Sequence, residues 1–208
     1  MKLINKVLAV SAISLSLMPA LASADCGKAR LADFDWNSAN VHTGIVQFIL
    51  EHGYGCEVET TRGSTTPIMA AHYDSQLDIV TELWYDNIVT QYDAVEASGV
   101  IRNIGINTPD SQQAFYVDRN TADKYSIKSV LDMNNPEIAA LFSDPENPDM
   151  GRMVSCIGGW TCYTINHVKQ RVYGLDKFYT NFDPGSSGAL AAEIAGAFAK
   201  DRPIRTEG

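Results

Sequence analysis

A short loop in the second half of the chain combines cysteines, glycines and a tryptophan. Residues 156–162 run Cys-Ile-Gly-Gly-Trp-Thr-Cys, so that Cys156 and Cys162 stand six positions apart. This spacing predicts a local disulfide in an oxidising compartment. A crosslinked, glycine-rich loop is a poor place to bury a large side chain, and we therefore expect Trp160 to face a ligand. A rigid, exposed indole is suited to stacking on a cation or on a flat apolar group.

The other tryptophans follow predicted strands at points where the sequence turns polar. Trp36 stands between Asp35 and Asn37, and Trp84 precedes the polar residues 85–87. In an open parallel sheet, ligands bind beyond the carboxyl ends of the strands. Several indoles around a quaternary ammonium group can stabilise it by about 2 kcal/mol or more where water is excluded. The alternative is that the tryptophans pack in the hydrophobic core, as is common for this residue type.

Motifs that carry catalysis do not stand out. The sequence has no Gly-x-Ser-x-Gly elbow, no phosphate-binding loop and no His-Glu-x-x-His pair. The histidines are scattered over predicted helices, and no cysteine has a histidine at the spacing of a metal site. We therefore expect a binding protein without catalysis, cofactor or metal ion; the alternative is a secreted hydrolase with an unfamiliar site. The four histidines are His42, His52, His72 and His167.

Residues 1–24 have the pattern of a secretory signal peptide. A basic start precedes an apolar stretch at 8–21 and a small-residue cleavage site at 22–24. Asp25 stands directly before Cys26, which argues against lipidation of that cysteine. The sequence therefore predicts export to the periplasm and cleavage without a lipid anchor.

The four cysteines all follow this signal peptide. An even number in an oxidising compartment favours two disulfides. We expect Cys26 to pair with Cys56, because these residues begin strands that are predicted to be adjacent. A metal site is the alternative.

The net charge of the chain bears on the kind of molecule that it can bind. The chain has 16 Lys and Arg against 25 Asp and Glu, a formal net charge of −9. An acidic surface argues against nucleic acid and against anionic membranes, and it favours a cationic or zwitterionic ligand. The alternative is that the charge only keeps the protein in solution.

The first half of the chain alternates strand and helix signals. Strands are predicted at 30–34, 57–61 and 77–83, a first helix from Ser38 or Asn40 to His52, a turn at 62–64, and a second helix from Thr65. A β-α-β-α-β order predicts a parallel sheet with helices on its faces. Trp36 and Trp84 then lie at the same edge of that sheet.

The second half has weaker signals. Strands are predicted at 114–117, 153–156 and 178–182, and helical segments at 127–142, 163–173 and 189–200. The chain then stops at a polar end, 202–208, without an obvious closing element. Residues 108–111, Thr-Pro-Asp-Ser, are the best candidate for a hinge. This hinge divides the chain into a first lobe at 25–110 and a second lobe at 111–208.

Several segments carry a family resemblance in preserved order. They lie at 53–54, 77–84, 115–125, 135–142, 156–162 and 166–167, and the Cys-x-x-Gly-Trp-x-Cys loop is the most specific of them. In these segments the chain resembles the periplasmic glycine betaine-binding proteins of ABC importers. The resemblance implies an α/β fold of the type II-like binding proteins, with two lobes and the ligand in the cleft between them.

The same resemblance implies roles for individual residues. Trp84 and Trp160 are expected to form walls around a trimethylammonium group, and the backbone amides of Thr161 and Cys162 to receive the ligand carboxylate. Consecutive amides that lead into a helix form an anion site. Trp36 suits the cleft by its position after the first strand. The implied partners are a small quaternary ammonium or zwitterionic ligand and the membrane permease of an ABC importer.

The chain also departs from the family it resembles. Members continue beyond the last helix with a strand rich in Tyr and Trp and then return to the first lobe, and here no such strand follows Ile204. We therefore expect a C-terminally truncated form whose first lobe lacks its returning strands. The alternatives are a fragment that no longer binds ligand, and a carbohydrate-binding or adhesion module that uses the same aromatic side chains.

Overall fold

The first sheet of the protein is parallel and lies in the N-terminal half. The computed structural model describes residues 26–207, and the predicted signal peptide lies outside these residues. The sheet has the strand order β2-β1-β3. Its strands are β1 (Lys28–Phe34), β2 (Glu57–Gly63) and β3 (Ile79–Val80). Leu31, Ala32 and Phe34 of the central strand are at most 1% exposed, as expected where helices cover both faces of a sheet. The predicted strand–helix alternation is confirmed.

Two helices connect these strands. Helix α1 (Asn37–Ile49) continues into a π-helical turn at Leu50–Tyr54, and Gly55 ends it with a φ of 71°. Helix α2 (Thr65–Tyr73) leads from β2 towards β3. The core of this half joins β1, both helices and the residue that precedes β3 by two positions. It comprises Ala32, Phe34, Ala39, Ile68, Met69 and Leu77.

The strand bounds differ from the prediction at two places. Residues 62 and 63 were expected to turn, but they extend β2 and pair with Asp33 and Phe34. The third strand was expected at 77–83, but only Ile79 and Val80 pair with β1. The residues after Val80 leave the sheet early, and this places the following segment beyond the strand end.

The start of α1 also differs from the prediction. The helix begins at Asn37, so neither Ser38 nor Asn40 caps it. Their side chains are used elsewhere: the Ser38 hydroxyl donates to Glu82 Oε1 at 3.0 Å, and the Asn40 amide donates to Asp33 Oδ1 at 2.6 Å. Both hydrogen bonds tie the first turn of α1 to the ends of neighbouring strands.

The second sheet is mixed and has the strand order β4-β7-β5-β6. Its strands are β4 (Phe115–Val117), β5 (Gly151–Val154), β6 (Tyr179–Phe182) and β7 (Arg205–Glu207). Strand β5 runs parallel to β6 and β7, whereas β4 is antiparallel to β7. Two sheets with connecting helices confirm the predicted α/β class.

The described residues form five more helices. They are α3 (Val89–Ala97), α4 (Arg119–Tyr125), α5 (Pro136–Leu141), α6 (Thr161–Val172) and α7 (Ser187–Ala199), with 3-10 turns at Tyr85–Asn87, Val130–Met133 and Leu175–Lys177. Helices α3 and α4 lie outside the predicted helical segments. Across residues 26–207, no helix combines the length and the apolar character that crossing a bilayer requires.

The C-terminal residues form a strand inside the second sheet, so the expectation of a polar end without a closing element is wrong. Thr206 pairs with Tyr116 on β4 and with Val154 on β5. Ile204 is 4% exposed, and its backbone N–H donates to Asp118 Oδ2 at 3.2 Å. Strand β7 is thus anchored from both sides.

Arg205 shows how a polar segment can be buried in this position. Its side chain is 2% exposed, and its guanidinium carbon lies 5.0 Å from the ring centroid of Phe115 and 4.6 Å from that of Tyr179. Aromatic faces from β4 and β6 stabilise the buried cation.

Each half of the chain contains one disulfide. Cys26–Cys56 joins the residues that precede β1 and β2, with a Cα–Cα distance of 4.6 Å. Cys156–Cys162 spans the loop between β5 and α6, with a Cα–Cα distance of 6.0 Å. Both predicted pairings are present. The first sheet lies before residue 110 and the second after it, but the bounds of the two lobes stay a prediction.

Candidate ligand-binding site

All three tryptophans of the chain line one cavity of about 280 Å³, which we call the indole cavity. Trp36 follows β1, Trp84 follows β3 and Trp160 precedes α6, so both halves of the chain contribute walls. The predicted residues Thr161 and Cys162 also line it. That these five residues bind a ligand stays a prediction. Other lining residues include Asn37, Thr65, Asn87, Gln113, Ser187 and Leu190.

A buried carboxylate, which the sequence analysis missed, holds two of the indoles. Glu82 is 6% exposed, and its Oε1 atom accepts hydrogen bonds from Trp36 Nε1 at 2.7 Å and from Trp84 Nε1 at 3.2 Å. An acidic residue within the predicted buried strand 77–83 is the signal that could have found it, because a buried carboxylate needs donors.

The Trp36 ring packs against two other aromatic rings. The Phe34 ring stacks on it at a centroid distance of 4.4 Å and an interplanar angle of 9°. The Trp160 ring meets it at 5.5 Å and 76°, an edge-to-face contact. Such aromatic pairs are favourable beyond the area they bury. The two indoles therefore stabilise each other's orientation across the cavity.

Trp160 is also held by the other half of the chain. Its Nε1 atom donates to Asp35 Oδ1 at 2.6 Å, and Asp35 directly follows β1. The residues of this contact are 125 positions apart in the sequence. Each of the three indole N–H groups thus donates to a carboxylate: two to Glu82 and one to Asp35.

The turn after Trp84 is fixed by a hydrogen bond of its own. The Tyr85 hydroxyl donates to Asp93 Oδ1 on α3 at 2.7 Å. This hydrogen bond to a carboxylate raises the pKa of Tyr85 to about 12. Tyr85 is therefore a neutral phenol at physiological pH, and it ties the 3-10 turn that carries Trp84 to the next helix.

Four helices begin at the indole cavity, and their first residues are Asn37 of α1, Thr65 of α2, Thr161 of α6 and Ser187 of α7. In the described part of the chain, no side chain caps α1, α2 or α6, whereas Ser186 caps α7. The first N–H groups of a helix lack partners within the helix and carry a partial positive charge. These helix starts can therefore accept an anionic group such as a carboxylate.

No histidine among the described residues lines the indole cavity. His42 contacts Glu82 from outside, with Nδ1 2.9 Å from Oε2, and His167 lies beside the Asn181 amide. Within residues 26–207, no group of three or more His, Cys, Asp or Glu side chains is arranged to hold a metal ion. The chemistry of the site is that of aromatic faces, hydroxyls and backbone amides.

Gly159 brings the tryptophan loop against α2. Its φ is 96°, in the left-handed region that favours glycine, and a Cβ atom there would lie 2.8 Å from Ser64 Oγ and 3.0 Å from Ser64 Cβ. Ser64 is the N-cap residue of α2. The close approach requires a residue without a side chain, because any Cβ would push the loop away from α2.

Replacement of Gly159 with alanine is expected to destabilise the protein by about 1 kcal/mol or more, since it adds strain to a left-handed residue and a steric clash. Urea unfolding measures this change. Gly158→Ala is the matched control, because a Cβ at the neighbouring position meets nothing within 4 Å. Equal stability of the two variants would contradict the close approach.

Residues 27–207 match the family model for the substrate-binding domain of ABC-type glycine betaine transport systems, OpuAC. The chain belongs to this family. The predicted resemblance is therefore confirmed, and the match spans both sheets. The family match does not by itself assign roles to the residues of the indole cavity.

Two curated members of the family show how much of their length is shared. The glycine betaine/proline betaine-binding periplasmic protein of Salmonella typhimurium is 24% identical over 100 residues, which are 48% of this chain and 30% of the relative. The protein of the same description from Escherichia coli is 26% identical over 121 residues, 58% of this chain and 35% of the relative. The chain thus aligns with about a third of the length of these relatives.

Solved structures of transporter binding proteins share the fold. The glycine betaine, L-proline transporter binding protein of Borrelia burgdorferi superposes with a TM-score of 0.70 at 14% identity, over 87% of this chain and 62% of that protein. Lactococcal OpuAC with glycine betaine gives 0.65 at 17%, over 88% and 64%. A choline-binding protein with choline gives 0.68 at 17%, over 88% and 60%. These superpositions confirm the predicted binding-protein fold.

Proposed function

We propose that this chain binds glycine betaine or a related quaternary ammonium solute as the binding component of an ABC importer. It acts in the periplasm after its signal peptide is removed, passes the ligand to a membrane permease, and catalyses no reaction. The observation that carries the proposal is the indole cavity, in which three tryptophans meet the uncapped starts of helices. Family membership and the names of the curated relatives support the ligand class.

The cavity offers groups for both charges of a zwitterion. Trp84 and Trp160 flank the trimethylammonium group, and Trp36 provides a further aromatic surface. A quaternary ammonium has no N–H to donate, so aromatic faces suit it better than polar side chains. The backbone amides of Thr161 and Cys162 bind the carboxylate at the start of α6, where the helix dipole favours a negative charge.

Calorimetric titration of the purified chain tests this function. Glycine betaine, proline betaine and choline are compared with neutral sugars such as glucose and maltose. We expect saturable binding of quaternary ammonium ligands and no heat of binding with the sugars. Binding of a sugar without binding of any quaternary ammonium ligand would instead support the carbohydrate-binding alternative and would contradict the proposal.

A further inference from the structure

A buried carboxylate lies at the N–H edges of two of the three indoles of the indole cavity. Glu82 Oε1 accepts hydrogen bonds from Trp36 Nε1, from Trp84 Nε1 and from the Ser38 hydroxyl, at 2.7, 3.2 and 3.0 Å. The carboxylate sits where β3 gives way to the turn that carries Trp84. A single oxygen atom thus fixes the orientation of indoles that follow two different strands.

Within the described residues, the lining of the indole cavity contains no charged side chain. Among residues 26–207, the side chains around it are indoles, hydroxyls, amides, a disulfide and a leucine. Such a cavity distinguishes a cation from a neutral group of the same shape through its ring faces and through charges at the ring edges. Glu82 is in that position for Trp36 and Trp84, and Asp35 is in that position for Trp160.

We propose that Glu82 is a positioning residue that also makes the indole cavity selective for positively charged headgroups. The inference rests on the proposed function of the site. Donation of the indole N–H to a carboxylate leaves more electron density on the ring face that meets the cation. The negative charge also attracts the ligand nitrogen directly, because a carboxylate that is 6% exposed is poorly screened by water.

A histidine contacts this carboxylate from outside the cavity. His42 Nδ1 lies 2.9 Å from Glu82 Oε2, close but not aligned as a hydrogen bond, and the histidine is 29% exposed. The Asn107 amide lies 3.4 Å from the same histidine nitrogen. All affinities are therefore compared at one pH.

A pair of ligands separates the charge of Glu82 from its structural role. Glycine betaine and 3,3-dimethylbutanoate have the same shape and the same carboxylate, but carbon replaces the quaternary nitrogen in the second. Glu82→Gln keeps an oxygen acceptor for the indoles and removes the charge. We expect this substitution to weaken glycine betaine binding about tenfold and to change 3,3-dimethylbutanoate binding by no more than about twofold. Titration calorimetry measures both affinities.

Asp123→Asn is the matched control, since it removes the same charge from an exposed site on α4 away from the cavity lining. We expect it to leave both affinities within about twofold of those of the unaltered chain. An equal loss for both ligands in Glu82→Gln would show that Glu82 only supports the walls, and this would overturn the inference while the proposed function stands. If the unaltered chain does not bind glycine betaine, the proposed function fails and this inference fails with it.

A second variant covers the case in which Glu82→Gln does not fold. Glu82→Asp keeps the charge and withdraws the acceptor from the two indole N–H groups. We expect both ligands to bind more weakly, while the ratio of their affinities stays within about twofold of that of the unaltered chain. A collapse of this ratio to unity in Glu82→Asp would contradict the role of the charge.

Discussion

Replacing Trp84 or Trp160 with alanine is expected to weaken glycine betaine binding by about 2 kcal/mol, roughly thirtyfold. Each substitution removes an aromatic face and admits water to the indole cavity, and both effects weaken the attraction between cation and ring. Phenylalanine at either position is expected to cost less, because a smaller aromatic face remains. Titration calorimetry with glycine betaine gives the affinities.

Phe198→Ala is the matched control for these substitutions. Phe198 is an aromatic residue on α7 that is 61% exposed and does not line the indole cavity. Its replacement is expected to leave the affinity unchanged. Thermal unfolding distinguishes loss of a ligand contact from loss of the fold. If Trp160→Ala unfolds and ligand does not protect it, Trp160 is a structural core residue and its proposed role is wrong.

The two disulfides are expected to differ in their effects on stability and on ligand binding. Cys26–Cys56 closes a loop of 30 residues, so its removal by a double serine substitution lowers the free energy of unfolding by about 3.5 kcal/mol in the chain-entropy account. It lies at the start of the strands, at the opposite end of the sheet from Trp36. We therefore expect the folded fraction of this variant to bind glycine betaine with unchanged affinity.

Removal of Cys156–Cys162 is expected to cost less stability and to weaken ligand binding. This disulfide closes a loop of only six residues, and the same account gives a loss of about 2 kcal/mol of stability. The crosslink frames Trp160 and ends in the first turn of α6, so the affinity for glycine betaine should fall as well. Urea unfolding and titration calorimetry on both double variants compare these effects. The result that contradicts the assignment is weakened binding in the Cys26–Cys56 variant with unchanged binding in the other.

The parts of the fold that follow from local pattern could be predicted from the sequence. Strand β1 and helix α2 were predicted from residues within their own bounds, and their existence and order agree with the structure. Strand β7 could not be predicted in this way. Its three residues, Arg-Thr-Glu, have no apolar alternation, yet the strand lies inside the sheet. Ile204, directly before it, bonds to Asp118, and Arg205 packs against two aromatic rings from other strands. Such a strand depends on contacts that are distant in the sequence.

In the candidate site, too, some residues could be predicted from local sequence and others could not. The crosslinked, glycine-rich loop indicated that Trp160 faces a ligand. The positions of Trp36 and Trp84 after predicted strands indicated that they lie at the same site. The carboxylates that hold these indoles were missed, since Glu82 lies 46 residues from Trp36 and Asp35 lies 125 residues from Trp160. A sequence shows that a carboxylate is present, but only the fold shows which indole N–H group it meets.

The placement of every tryptophan of the chain in one cavity gives the protein a built-in optical reporter. Indole emission is sensitive to the polarity around the ring and to nearby charge, and here no tryptophan lies elsewhere to dilute the signal. Selective excitation of the indoles therefore observes the cavity alone, without a label or an engineered probe. When a ligand or water enters the cavity, the wavelength and the intensity of the tryptophan emission change. These changes can be followed on the time scale of binding.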